Sequence, residues 1–474
     1  MDLNQANLLL ITFDQWRGDW TDPLKPVVRL PCLEKLSSKG LATRRCYTSS
    51  PQCVPARLSW LTGLSPSQMG VTRNCEVEIT SDAPSIFKEL QKQGWYTELI
   101  GKTHWTSHLR AQDLRIKEEL IKSMGFNKVN EVAGPRALQI MKCELTDAWK
   151  DEGVFDAYLE DMKKRYINGR TADSWKVRPS ILPYHLYPDI WIADKGVEAI
   201  RRMPTKQPWI LWISFVGPHE PFDTPEIWKS RNHNIIPKAI QKSSWIEQLS
   251  MNCELRKTGL TWENKLSSRA IKECRDDYTN NLKLLDSQID KLTEALRGRQ
   301  DTKKTAIAIT SDHGEMLGDH QMLYKGTFLE SSIIVPFFYT PPARMQERRI
   351  VIKKPIGLTS MFTTMIKNLE YGGKLQPLCE HASSQSYVTV EYAKEILVIK
   401  NKRKLCCNMN GRPLWATNLR QDPLEQKNQL STNKELLETN DKWKHIYINA
   451  KKEIKKREHK DWIWKDLTSK NISN

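Results

Sequence analysis

No stretch of this chain approaches the roughly 18 consecutive apolar residues that a membrane-spanning helix needs. The amino terminus has no basic segment leading into an apolar core, and the run Leu8–Phe13 is too short to serve as one. These two absences read as a soluble, cytoplasmic protein. Cysteine occurs ten times, at 32, 46, 53, 75, 143, 253, 274, 379, 406 and 407, with no Cys-x-x-Cys pair and no regular spacing. Free thiols are therefore expected rather than a disulfide framework, and Cys406-Cys407 reads as strand interior. Internal repeats and low-complexity segments are also lacking.

What is present fits a globular protein of 474 residues, 39% hydrophobic and 27% charged, long enough for two or three domains. Lys and Arg number 73 against 56 Asp and Glu, a net charge of +17. Such an excess suits nucleic acid, a membrane surface or an anionic substrate. It is dispersed except for Lys451, Lys452, Lys455, Lys456, Arg457 and Lys460, where interleaved acidic residues favour a solvated helix face. No nucleic-acid partner is expected.

Four apolar runs have the length of buried parallel strands: Asn7–Phe13, Trp95–Ile100, Trp209–Phe215 and Thr305–Thr310. Helical patterns fill the intervals at Ser85–Gln93, Asp189–Arg202 and Tyr278–Arg297. This alternation implies an α/β sandwich around a mostly parallel sheet, in which ligands bind beyond the carboxyl ends of the strands. Asp14, His104, His219 and Asp312-His313 follow those ends and should converge. Two polar stretches, about 108–185 and 226–270, read as insertions over that face. Ser332–Val335 reads as a strand closed by Pro336, and Ser360–Asn368 as the last helix of a catalytic domain spanning 1–370. Beyond it, Ser386–Val390, Glu395–Ile399 and Lys404–Cys407 read as antiparallel strands, followed by a basic helix at about 432–460. Together they make a small α+β domain, 371–474.

Divalent cations take carboxylate oxygens or neutral imidazoles held in fixed positions. Asp14 and Asp312-His313, directly after strands, suit that role, and Gln15 can add a carbonyl oxygen. The segment Asp312-His313-Gly314-Glu315, with Gly318-Asp319-His320 behind it, is the more specific signal. Upstream, Cys53-Val54-Pro55-Ala56-Arg57 is followed by Leu61-Thr62-Gly63.

With Gly101-Lys102-Thr103-His104, Pro218-His219-Glu220-Pro221, Lys325 ahead of Val335-Pro336, and Asp422-Pro423-Leu424-Glu425, these motifs resemble the type I sulfatases of the alkaline phosphatase superfamily. The match runs in order over most of the chain. The resemblance implies an alkaline phosphatase-like fold. It also implies that Cys53 is oxidised to formylglycine by a formylglycine-generating enzyme and that the hydrate of that aldehyde is the nucleophile. Asp14, Gln15, Asp312 and His313 would hold the metal, which also contacts residue 53. Arg57 would support the hydrate, and Lys102 and Lys325 would hold sulfate oxygens. His219 would protonate the leaving oxygen, His104 would accept the hydroxyl proton, and Asn74 would bond the anion.

The Asp-Gln and Asp-His pairs are similar to the subset with choline sulfatases and phosphonate monoester hydrolases. An imidazole ligand moves the expected metal from calcium toward manganese, with magnesium also considered. The usual Asp-x-x-Pro-Thr at the start of the Ser360 helix is absent. The expected substrate is a small-molecule sulfate ester. The alternatives are a phosphonate monoester or phosphodiester hydrolase, and a non-catalytic polyanion binder acting through the basic helix. A homo-oligomer is possible. Trp16 and Trp105 lie beside the site by adjacency, where they could shape a pocket or stack on a quaternary ammonium group. His185, His233, His381 and His445 read as ordinary.

Overall fold

The computed structural model describes residues 5–74, 77–108, 110–166, 174–229, 236–249, 266–345, 348–433, 435–457 and 465–466. Cys75, His233, Cys253 and Lys460, together with parts of both expected insertions, lie outside them. An eight-stranded sheet forms the body. Its strands run, edge to edge, Ile350–Ile352, Leu41–Thr43, Phe337–Thr340, Thr305–Ser311, Asn7–Phe13, Trp209–Ser214, Tyr96–Gly101 and Lys128–Glu131. Every pairing is parallel except the two made by Phe337–Thr340.

Alternation along Asn7–Phe13 explains why this strand lies at the centre. Leu9, Ile11 and Phe13 enter one apolar cluster, while Leu8 and Leu10 enter another on the opposite face. Helices Pro188–Arg202 and Ser268–Arg297 cover the first face through residues such as Ile192, Leu282 and Leu285. Helices Cys53–Thr62, Ile86–Lys92 and Leu358–Asn368 cover the second through Leu58, Phe87 and Phe362. A sheet apolar on both faces needs both layers, and a sandwich follows.

The small sheet is antiparallel, in the order Val388–Tyr392, Glu395–Lys400, Arg403–Asn408 and Pro413–Asn418. Helix Asp441–Lys456 lays Trp443, Ile446, Ala450 and Ile454 against it and keeps its lysines outward. Buried Lys404 ties this sheet to the body. Its Nζ donates to Glu425 at 2.6 Å, to Glu330 at 3.0 Å and to the carbonyl of Phe328 at 2.7 Å. The Asp-Pro-x-Glu turn thus ends on a buried carboxylate. Eight cysteines among the described residues are free thiols, Cys406 and Cys407 buried within a strand. No described helix is long and apolar enough to cross a membrane.

Several elements depart from the sequence reading. Ser332–Val335 splits into a short helix, Glu330–Ile333, and the strand Ile334–Val335. Pro336 does not end the region: the missed strand Phe337–Thr340 follows it into the main sheet. The long helix begins at Ser268, ten residues before Tyr278, where the Ser267 hydroxyl accepts from Ala270 N–H. Within 108–185, Lys128–Glu131 belongs to the main sheet as its edge, so that stretch is not wholly insertion. The basic helix spans Asp441–Lys456, starting later than expected because Asn440 caps it. A helix at Gln376–Ser384 and the fourth small strand were not anticipated.

Candidate active site

Cys53 is the first residue of a fully buried ten-residue helix, Cys53–Thr62. Its Sγ therefore meets the positive end of that helix. His313 Nε2 lies 3.1 Å from Sγ and Asp14 Oδ1 lies 3.8 Å away. Ligand atoms of Asp14, Cys53, Asp312 and His313 all fall within 4.8 Å of one another, and all four residues are buried.

Each strand end contributes as its sequence suggested. Asp14 follows Asn7–Phe13, and Asp312 and His313 follow the adjacent Thr305–Ser311. Gln15 takes a left-handed backbone, φ 73°, and its amide donates to Asp312 Oδ1 at 3.0 Å. The Tyr278 hydroxyl holds this turn, donating to the Gln15 carbonyl at 2.7 Å and accepting from Arg17 N–H at 2.9 Å. The Gln15 side-chain nitrogen donates to Glu220 at 3.1 Å and, in a very short bond, to Glu315. Its Oε1 is thereby turned toward Lys325 Nζ, 2.7 Å away. Glu220, Glu315 and Tyr278 were missed from sequence. The two carboxylates sit inside quoted motifs, where they are indistinguishable from ligands.

Arg57, four residues after Cys53, is 1% exposed. Nε donates to Asp312 Oδ2 at 2.7 Å, Nη1 to the Lys102 carbonyl at 2.8 Å and to Ser214 Oγ at 3.0 Å, and Nη2 to the Phe13 carbonyl at 3.3 Å. Lys102 makes a very short ion pair with Asp14, and Lys325 lies 4.0 Å from the same carboxylate. Asn74 Oδ1 accepts the Val54 amide at 3.0 Å at the start of the Cys53 helix, so any contact to an anion would come from its amide nitrogen. His219 lies between two cis prolyl bonds and hydrogen-bonds through Nδ1 to the Glu220 carbonyl at 2.7 Å, so Nε2 is the ring nitrogen not engaged in that bond. His104 joins the same electrostatic field as Lys102, Arg57, Asp14 and Lys325.

Trp16 and Trp105 are buried core residues. Their indole N–H groups go to Thr21 at 3.2 Å and to the Arg57 carbonyl at 3.2 Å, so they support the site from beneath. Asp319, of the second Asp-His pair, is a structural bracket that takes both Arg17 and Arg275.

Two carboxylates, Asp14 and Asp312, face three cations, Arg57, Lys102 and Lys325. The Glu220 and Glu315 carboxylates add negative charge one layer out, around Gln15 and Lys325. Burial and the Asp14 carboxylate push the Cys53 thiol up, but Lys102, Lys325 and His313 outweigh them and hold it well below its ordinary value. Burial also opposes ionisation of Asp14, yet Lys102, His219, Lys325 and Arg57 keep its carboxyl well below the usual range. Burial depresses His219 to about 4 against the pull of Glu220. The Asp14 and Asp312 carboxylates and the His313 imidazole, grouped with Cys53 within 4.8 Å, are donors that suit a divalent cation, and the Gln15 amide oxygen follows Asp14 directly in the chain. The surrounding cations suit a tetrahedral oxyanion beside it.

Comparisons with known proteins agree with this geometry. The Sulfatase family profile matches residues 6–371. The chain is 26% identical to an arylsulfatase of Clostridium perfringens, over 96% of this chain and 95% of that protein. It is 24% identical to a choline-sulfatase of Rhizobium meliloti, over 90% and 83%. Among solved structures, the phosphonate monoester hydrolase of Agrobacterium radiobacter superposes with a TM-score of 0.72 at 19% identity, covering 96% of this chain and 95% of that one.

Proposed function

The chain belongs to the sulfatase family, and we propose that it hydrolyses a small-molecule sulfate ester at the site centred on residue 53. The observation that carries this reading is the placement of Cys53 Sγ. It sits at a helix amino terminus, 3.1 Å from His313 Nε2, within a four-donor cluster flanked by Lys102 and Lys325.

In this reading Asp14, Gln15, Asp312 and His313 hold one divalent metal. Manganese suits the imidazole better than calcium does, with magnesium a third possibility. When bound, the metal supplies Lewis acidity toward a sulfate oxygen. Cys53 is the position matured to formylglycine, whose hydrate supplies both a nucleophilic oxygen and a second hydroxyl for later release of sulfate.

The chain's own residues do the remainder. Lys102 and Lys325 bind the equatorial sulfate oxygens and stabilise the charge that grows there. Arg57 fixes the Asp312 carboxylate and, with the Ser214 hydroxyl and the Phe13 and Lys102 carbonyls, locks the first helical turn in register with the strand ends. Glu220 and Glu315 orient Gln15. His219 donates a proton to the leaving oxygen from Nε2, and the bound anion raises its affinity for that proton. His104, held neutral by burial and by Lys102 and Arg57, accepts the proton of the hydroxyl.

The same cations fit a phosphoryl group, and His313 in the donor set resembles the phosphonate hydrolase subset. A panel of sulfate monoesters, phosphodiesters and phosphonate monoesters, assayed on protein with verified formylglycine and metal, decides. Sulfate monoesters are expected to show the highest kcat/KM. A phosphodiester or phosphonate leading the panel would overturn the sulfatase assignment.

A further inference from the structure

His104 occupies the left-handed region at φ 58°, a conformation that a non-glycine residue keeps only when its surroundings impose it. Two side chains outside the assigned set surround it. Glu131 ends the edge strand Lys128–Glu131, directly opposite Gly101. Its buried carboxylate takes the Thr103 hydroxyl in a very short hydrogen bond, and the backbone N–H groups of His104 and Thr103 act on the same group. One carboxylate thus gathers three donors of the turn that carries Lys102 and His104. From the other side, His108 lays its ring flat on that of His104, with centroids 4.6 Å apart and planes 3° from parallel. His104 Nδ1 and His108 Nε2 are buried and have no hydrogen-bond partner among the described residues.

We infer that Glu131 and His108 are the positioning residues of His104: the carboxylate fixes its backbone and the stacked ring fixes its side chain, so that one uncharged imidazole orientation meets the substrate. This rests on the reading of His104 as the base. The charged groups around His104 are Lys102, Arg57 and Lys325, against Asp14, with Glu131 beneath its turn and His108 over its ring. Two imidazolium rings in a 4.6 Å stack among three cations repel each other strongly, so the pair carries at most one proton. Burial, then His104 and Lys102, hold His108 well below its ordinary value, in keeping with a neutral stack. Burial also raises Glu131 to about 7. Its Oε2 has no hydrogen-bond partner among the described residues and accommodates a proton while Oε1 still accepts from Thr103. The turn is therefore held whether or not Glu131 is ionised.

The test uses metal-loaded protein with ring-labelled histidine. The His104 signal is identified by its loss in His104→Gln and followed by NMR across pH, alongside kcat and KM. His108→Phe keeps the stack and Glu131→Gln keeps the acceptor, so both are expected to leave the His104 titration low and kcat within about twofold of the parent. His108→Ala and Glu131→Ala are expected to move the midpoint up toward ordinary imidazole and lower kcat roughly 10- to 100-fold, with KM little changed. Thr103→Val removes the donated hydroxyl without opening a cavity, and serves if an alanine variant does not fold. Folded alanine and valine variants whose His104 signal and kcat match the parent would overturn the inference. If the parent turned over no sulfate ester while the His104 signal still moved as stated, the proposed function would fail and the positioning role would stand.

Discussion

Arg57 Nε donates to Asp312 Oδ2 at 2.7 Å, and Arg57 stands four residues beyond Cys53 on one helix. Residues four apart share a helix face, so the side chain that meets the Asp312 carboxylate points the same way as Sγ. The Cys-x-x-x-Arg spacing is thus a geometric requirement: one helical turn sets Cys53 against the strand end that carries Asp312.

Arg57→Lys keeps the charge but loses the planar fork that serves Asp312, Ser214 and two carbonyls at once. We expect kcat/KM to fall about 100-fold or more. Arg57→Ala leaves Asp312 buried and uncompensated and costs stability of about 3–5 kcal/mol. Steady-state kinetics and urea unfolding check the two effects separately.

In the proposed role of acid, His219 matters only where the leaving oxygen needs a proton. His219→Gln should therefore slow alkyl sulfates by roughly 100-fold or more, and barely slow an aryl sulfate whose phenol leaves as the anion. A uniform loss across leaving groups would assign His219 to binding instead.

Asp189 Oδ1 accepts the amides of Val216 at 2.9 Å and Gly217 at 3.0 Å, holding the turn that leads to His219. Burial raises its carboxyl to about 7. The folded state therefore retains a proton that the unfolded chain releases near 4. The resulting stability is fully present below about 4 and is lost as pH rises through about 7. Asp189→Asn keeps the acceptor and cannot ionise, so it should remove a downward slope of about 1 kcal/mol per pH unit between pH 5 and 7. Denaturant unfolding at three pH values measures this.

His313 supplies the one nitrogen of the donor cluster. Dialysis against a chelator should lower both activity and the thermal midpoint, and readdition of manganese should restore them. In competition at equal concentrations, His313→Asn should shift bound metal from manganese toward calcium, read by elemental analysis. An unchanged metal ratio would remove His313 from the ligand set.

The centre of the fold was legible because buried parallel strands announce themselves. Asn7–Phe13 and Thr305–Ser311 are continuous apolar runs, and each ends on the polar residues that the site uses. The sheet edge was not legible. Leu41–Thr43 and Ile350–Ile352 are three residues long, too short for any periodicity, and Pro336 masked the strand that follows it. In the site, Asp14, Gln15, Cys53, Arg57, Lys102, Asp312, His313 and Lys325 come together as their motifs implied. Glu220, Glu315 and Tyr278 escaped notice because their work is to orient Gln15, a relation between distant strands and helices that no local spacing encodes. Glu131 escaped because its strand is four residues long and lies within a stretch read as insertion.

Everything in the proposed chemistry begins at residue 53. Trypsin releases residues 46–57 as one peptide, which holds Cys46 as an internal control beside Cys53. Mass spectrometry of that peptide, from protein purified out of its native host, tests the central claim most directly. The account predicts an aldehyde at 53 and an unaltered thiol at 46. A thiol at both positions in active, metal-loaded protein would contradict it.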